Sequence, residues 1–331
     1  MPTIVMRFDL RAPALAKASH AELYAACLDM CQWGDERGFD AVVLSEHHGI
    51  DDGYLPAPLA LAGVIAGRTR RVAITLSALL LPLHDPLRVA EDLAVLDLAS
   101  RGRVVTVVGL GYRQDEFDMF GIERKGRGHR VEQQIATLRT AWTGEPFEYQ
   151  SRPARVTPKP FSRPHPPMMM GGGTEAAARR AARLRLPFMP MVGDPALDDV
   201  YRAECERVGY AEGWALMPKD LGFVHVTDDP DRGWQQIGPH ALYDATTYRS
   251  WQRQGQRSAV TVKGDSLDDV KRSGVYRVVT PEQCLALAEE LGDTGALVFH
   301  PLMGGMSPDL GWQSLELFAS AVLPKVRRTA A

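Results

Sequence analysis

The residues Arg7-Phe8-Asp9-Leu10-Arg11-Ala12-Pro13 follow a first apolar run, and they contain no glycine. A doubly wound open sheet that binds a dinucleotide is expected to place its glycine-rich turn there. Its absence favours the other way of arranging repeated βα units, a closed (β/α)8 barrel. Working outward, strand-like runs recur at 3–9, 40–45, 72–77, 103–109, 168–171, 187–191, 220–226 and 295–299. Helical periods fall at 20–37, 57–67, 86–99, 127–143, 174–185, 196–208, 230–253, 281–291 and 312–327. Strands that alternate with helices in this way imply a parallel sheet. The expectation is therefore an α/β TIM barrel with insertions, and residues 1–331 are read as a single domain. Residues 144–167 interrupt the alternation with many prolines and arginines and carry weak strand signals at 147–149 and 154–157. Residues 254–276 are charged and lack a long apolar period, so they are expected to form a mobile lid insertion.

Bulk properties narrow the class. Hydrophobic residues make up 45% and charged residues 24%, as in a soluble globular protein. A formal charge of -3 argues against nucleic acid or an anionic membrane as the main partner. No apolar run approaches the roughly 18 residues needed to span a bilayer. The N-terminus reads as a strand, without a basic and apolar leader, and the expected location is cytoplasmic. Cys27 and Cys31 lie one helical turn apart with no metal-ligand pattern beside them, so core thiols are expected.

Chemistry in a barrel gathers where strands end. The run Phe39-Asp40-Ala41-Val42-Val43-Leu44-Ser45 ends abruptly in Glu46, His47 and His48. A histidine there can take or give a proton near neutral pH; it can equally cap the strand or pack in the core. After the third strand comes an apolar loop containing Leu79-Leu80-Leu81 and His84, which suits either a hydrophobic ligand or barrel packing. After the fourth comes Gly109-Leu110-Gly111-Tyr112, which permits a turn or lets a flat ring approach the backbone. After the fifth, Gly171, Gly172, Gly173 and Thr174 open a helix. Amides without a Cβ beside them at a helix N-terminus suit a phosphate, although a plain cap fits the same residues. Arg130, near the start of the preceding helix, is either a second anion ligand or a surface arginine.

Taken together, these segments resemble the luciferase-like flavin-dependent monooxygenases. The matching residues are Gly38-Phe39-Asp40 with Glu46-His47-His48, Leu81-Pro82 with His84-Asp85-Pro86-Leu87-Arg88-Val89-Ala90-Glu91-Asp92, and Ser100-Arg101-Gly102-Arg103. Gly109-Leu110-Gly111-Tyr112 with Glu116-Phe117, and Thr280-Pro281-Glu282-Gln283-Cys284, extend the match. The resemblance implies a TIM barrel that uses reduced FMN, supplied by a separate flavin reductase, and oxygen on a hydrophobic organic substrate. It implies a cis peptide at Ser77-Ala78 under the flavin ring, phosphate at Gly172, Gly173 and Thr174 with Arg130, and His47 as acid or base. It also implies a homodimer through the helices at 57–67 and 86–99, with Leu59, Leu61, Val64, Leu93, Val95, Leu96 and Leu98 as apolar faces. Two departures stand out. Glycine occupies position 109, where luciferases carry a phosphate-binding arginine, and Val108 replaces a reactive cysteine, so light emission is not implied. The glycine-rich segment also resembles relatives that use coenzyme F420 for hydride transfer. A non-catalytic flavin-binding protein is the remaining alternative.

Overall fold

A computed structural model describes residues 1–219, 222–252, 258 and 260–328. The strands are β1 (Thr3–Phe8), β2 (Ala41–Leu44), β3 (Ala73–Leu79), β4 (Val104–Val108), β5 (Phe147–Tyr149), β6 (Arg152–Ala154), β7 (Met168–Gly172), β8 (Phe188–Pro190), β9 (Phe223–Val226), β10 (Tyr276–Val279) and β11 (Ala296–Phe299). Nine of them form one sheet in the order β10-β9-β11-β1-β2-β3-β4-β7-β8, and every pairing in it is parallel. β5 and β6 form a separate antiparallel hairpin. Its turn residues Gln150 and Ser151 both have positive φ, at 51° and 58°, as a two-residue turn of matching twist requires.

The helices are α1 (His20–Arg37), α2 (Pro58–Arg68), α3 (Pro86–Ser100), α4 (Gln114–Met119), α5 (Arg127–Ala141), α6 (Glu175–Arg183), α7 (Pro195–Arg207), α8 (Pro230–Trp251), α9 (Leu267–Ser273), α10 (Pro281–Leu291), α11 (Pro308–Leu317) and α12 (Leu323–Arg328). Their limits follow local chemistry. Ser19 and Glu22 close a capping box at the start of α1, and Gly38 ends that helix at φ 80°. Asp85 caps α3 through the amides of Leu87 and Arg88, with Pro86 in the first turn.

Alternation along β1 sorts its side chains. Ile4, Met6 and Phe8 are fully buried, and Met6 packs so closely on α1 that a Cβ at Gly34 would lie 2.5 Å from its Cε. Arg7 lies between them in sequence and turns the other way, toward Tyr54, Tyr248 and His300. The four cysteines are buried and free, which bears out the core-thiol reading. No helix among the described residues is long and apolar enough to cross a membrane.

The parallel α/β architecture is as expected, with three corrections. A ninth strand, β10, pairs with β9, and among the described residues no ladder joins β8 to β10. Instead Ala215 bridges to Phe188 on β8. Second, the segment expected as a mobile insertion at 254–276 is partly regular structure. Ser266 and Asp269 form a capping box for α9, and Gly274 ends it in the left-handed region. Val262 and Val270 are buried, so short-range caps and two apolar anchors suffice where no long period exists. Positions 253–257 and 259 lie outside the described residues, as do 220 and 221 of the expected seventh strand. Third, the last helix begins earlier, at Pro308, and is broken by a wide turn at Phe318–Val322.

β9 carries His225, which lines a small cavity among Ile237, Tyr276, Phe299 and Met306. Burial pushes its imidazole down to about 4 from 6.5. The unfolded chain takes up this proton first, so folding loses stability as pH falls from 6.5 toward about 4. The full loss is about 3 kcal/mol. Replacing the group with an apolar one, in His225→Leu, is expected to flatten this part of the acid limb, measured as the difference in urea midpoint between about pH 7 and pH 4.5. An acid limb of unchanged steepness would refute the assignment.

Candidate active site

β2 ends at Leu44, and the next residues project in alternate directions. His47 points toward α4. Its Nδ1 lies 2.7 Å from Glu116 Oε1, and that oxygen also accepts the His48 backbone N–H at 3.1 Å. Glu116 is fully buried, and Arg113 Nη1 is 3.6 Å from it. A carboxylate can only accept, so the bond to Glu116 places a His47 proton on Nδ1 and turns Nε2 away from it. Nε2 is 3.3 Å from the Tyr112 hydroxyl. Burial pushes the Tyr112 phenol well above its ordinary value, with help from Tyr54 and Glu116, which keeps it a neutral donor. The rings of Tyr54 and Trp251 each lie 4.9 Å from the imidazole, centre to centre.

Glu46 and His48 turn elsewhere. His48 Nε2 is 2.8 Å and His84 Nε2 is 2.6 Å from Glu46 Oε1, while Glu46 Oε2 accepts the Leu80 N–H at 2.6 Å. Burial opposes ionisation of Glu46, but the two imidazoles and the amide outweigh it and hold the carboxyl at about 2. The three residues expected as one catalytic set are thus divided between two networks.

A third network occupies the strand-end face. α8 runs across it and presents Tyr243, Asp244, Tyr248 and Trp251. Arg11, fully buried, bonds Asp52 at 2.7 Å and Asp244 at 3.0 Å. Arg7 bonds Tyr248 at 2.5 Å and Tyr54 at 3.3 Å. Asp9 lies 3.4 Å from His300 Nε2 and 3.8 Å from Arg7. Burial opposes its charge, yet His300, Arg7 and Arg11 hold its carboxyl well below the usual range. Trp251 closes the group, with the Arg113 guanidinium 4.9 Å and the Arg11 guanidinium 5.4 Å from its ring centre.

The glycine positions fall at the strand ends, as expected. The Ser77-Ala78 peptide is cis. A Cβ at Gly109 would lie 2.7 Å from the Ala78 Cβ and 3.3 Å from Leu80 Cδ2, and the Gly109 N–H donates to Leu79 O at 2.8 Å. β3 and β4 therefore meet with only small residues between them. Gly111 has φ 69° and sits against Phe117. Gly171 and Gly172 end β7, and a Cβ at Gly172 would lie 2.5 Å from Ala177 Cβ. Gly173 leads into Thr174, which caps α6 by accepting the Ala177 N–H. Arg130 does not turn to this loop; its guanidinium donates to Glu123 O at 2.8 Å. Arg180 instead packs against Gly128 and bonds Glu132 at 2.9 Å. Leu79, Leu80 and Leu81 are buried packing residues.

Sequence reasoning placed no role on Tyr54, Trp251, Arg7 or Arg11, and gave Glu116 only a place in a motif. For Glu116 a signal existed, as an acid three residues past Arg113 in a short amphipathic turn. For α8 none did, because 204 residues separate His47 from Trp251 in the chain.

The sequence profile described as luciferase-like monooxygenase matches residues 6–297. Among curated proteins, the oxygenase component of a flavin-dependent trigonelline monooxygenase from Acinetobacter baylyi is 25% identical over 154 residues, 44% of this chain and 42% of its own. The chain spans about half the length of the curated relatives it matches first. Among solved structures, the monooxygenase RslO1 from Streptomyces bottropensis has a TM-score of 0.76 at 25% identity, covering 98% of this chain and 99% of that one. The oxygenating constituent of 3,6-diketocamphane monooxygenase from Pseudomonas putida, in complex with FMN, has a TM-score of 0.75 at 18% identity, covering 98% of each chain, and so shares the fold.

The contact at Gly109 gives a direct test. Gly109→Ala is expected to destabilise the protein by about 1–3 kcal/mol, because the methyl group must displace Ala78 or Leu80. Gly67, in α2, has nothing within 4 Å of an added Cβ, and Gly67→Ala should be neutral or stabilising. Urea denaturation of both variants distinguishes a specific close approach from general sensitivity.

Proposed function

The chain belongs to the luciferase-like monooxygenase family, and from that premise we propose that it is a flavin-dependent monooxygenase acting on a small organic molecule. The observation that carries this reading is His47, a strand-end imidazole whose Nδ1 is fixed by Glu116 and whose Nε2 faces Tyr112 among aromatic rings. The residues present fit reduced FMN. Ser77, Ala78, Gly109 and Gly111 supply a wall of small groups for a flat ring, and Tyr112 an aromatic side chain beside it. Gly171, Gly172, Gly173 and Thr174 supply an α6 N-terminus for its phosphate, in which Thr174 already holds the Ala177 amide and the leading amides remain for an anion. Arg130 joins that site only by leaving Glu123. When bound, reduced FMN supplies the electrons that activate dioxygen. His47 holds or releases a proton at Nε2, Glu116 keeps the ring in one tautomer, and α8 with Trp251 excludes water.

A hydrophobic substrate would rest on Tyr54, Tyr112 and Trp251 rather than on Leu79, Leu80 and Leu81, which are core. A separate reductase supplies the flavin in this reading. No nicotinamide fingerprint is present, and the trigonelline relative is itself named an oxygenase component. We read the chain as one catalytic unit, with the end of α8 at Trp251 as its lid. Gly109-Leu110-Gly111 also favours coenzyme F420 as a second reading. Anaerobic titration decides between them. Saturable binding of reduced FMN, and none of reduced F420, is expected. Turnover of reduced FMN, oxygen and substrate should fall about 10²- to 10⁴-fold in His47→Ala, with flavin affinity nearly unchanged. Binding of F420 alone would overturn the proposal.

The chain acts as a homodimer in this reading. Leu61, Leu93 and Leu96 are spent on the core, but Val64, Val95 and Leu98 on α2 and α3 remain 50%, 53% and 39% exposed. Such side chains grouped on adjacent helices suit a partner's surface. Sedimentation should show a dimer at micromolar concentration and a monomer for Val95→Asp; a monomeric wild-type protein would refute it.

A further inference from the structure

Glu46, His48 and His84 are left over from the reading of His47, and they converge: both imidazole Nε2 atoms approach Glu46 Oε1, at 2.8 Å and 2.6 Å. They come from two segments, the end of β2 and the turn after β3. The ligand atoms of all three lie within 4.8 Å of one another. The Glu46 side chain is fully buried, and that of His84 is 25% exposed. The carboxylate cannot swing away, because the Leu80 N–H holds Oε2 at 2.6 Å and aims Oε1 at the two rings. The turn bearing His84 is held as well. Gln134 Nε2 donates to Leu81 O at 3.0 Å and to His84 O at 2.9 Å. His48 is fixed by the edge of Phe120, at 4.8 Å between ring centres.

A carboxylate withdrawn from water needs positive charge beside it. Those of Asp9 and Asp52 have guanidinium groups within reach. The hydrogen-bond partners of Glu46 are two imidazoles and one amide, and the ion pairs it makes are with those same imidazoles.

We propose that Glu46, His48 and His84 bind one divalent transition-metal ion of the zinc class. Two imidazole nitrogens and one carboxylate oxygen suit Zn²⁺, Co²⁺ or Fe²⁺, whereas Ca²⁺ and Mg²⁺ favour oxygen ligands throughout. Each ring presents its Nε2 lone pair to the ion, so its proton passes to Nδ1. The Leu80 amide then serves as the outer group that orients the ligating carboxylate. The exposed side of His84 leaves a coordination position for water. The ion would pin the end of β2 to the turn after β3, directly behind His47. Its part is to hold these segments together, and the flavin chemistry does not pass through it.

The test uses the full-length protein, stripped with EDTA and exchanged into metal-free buffer. Titration with Co²⁺, read by visible d–d absorption and by calorimetry, should saturate at about one ion per chain, and Zn²⁺ should displace it. His84→Ala should weaken Co²⁺ binding by about 10²-fold or more, since loss of a ligand exceeds the loss of an outer partner. His129→Ala removes an exposed imidazole elsewhere and should change nothing. Where His84→Ala fails to fold by circular dichroism, His84→Asn takes its place. Absence of Co²⁺ binding by the wild-type protein overturns the proposal, and so does equal binding by wild type and the folded His84 variant. Either outcome leaves the three residues as a hydrogen-bonded clamp.

Discussion

Two glutamates with no exposed side-chain surface govern this protein's strand-end face. A buried carboxylate is tolerated only where donors surround it. Glu116 takes the ring of His47 and the backbone of His48. Glu46 takes the rings of His48 and His84 and the backbone of Leu80. Because consecutive side chains at a strand end point in opposite directions, neighbours in sequence serve different carboxylates. The His47 ring is thereby fixed in tautomer and direction, with one nitrogen facing outward. Exchange of either acid for an alkyl group would leave an imidazole without its partner and the loop without its anchor.

The same demand for pairing explains the position of α8. Arg7 on β1, partly buried, and Arg11 just beyond its end, fully buried, lie at the strand-end face, where guanidinium groups need several acceptors each. Asp244, Tyr243 and Tyr248 supply part of them from α8, and Asp52 and Tyr54 supply the rest from the loop after β2. A helix that in a simple barrel would pack outside is thus drawn across the strand ends by its polar face. Trp251 at its end then reaches His47. In this fold the placement of α8 is decided by charge compensation as much as by apolar packing.

Much of the frame was legible before any coordinates. All eight expected strands were found, since each is an apolar run long enough to stand out from its flanks. α1 and α10 were located to the residue, because a capping box or a left-handed glycine marks their ends. β10 was not anticipated. Val275-Tyr276-Arg277-Val278 follows a charged stretch directly, and composition averaged over the window hid it. In the site, His47 and the glycines at strand ends were visible from their positions after apolar runs. The separation of His47 from Glu46 was not, because it depends on which carboxylate each ring meets in space. Arg130 misled for a related reason: its place on the helix was right, but a nearby carbonyl already took its guanidinium.

Among the described residues no strand ladder covers the outer side of β8, which bears on how this chain behaves in a crowded solution. A parallel sheet that ends in an open strand offers a row of amides and carbonyls to any other extended peptide. Here Phe188 donates to Trp214 O at 3.0 Å and accepts from Leu216 at 2.8 Å, so a stretch of three residues covers the edge. Trp214 and Leu216 themselves remain about half exposed, at 49% and 46%. That short stretch acts as a gatekeeper against templated self-association. Loosening it would bare the amides and carbonyls of β8 to other extended chains, at a distance from His47 and its carboxylate partner.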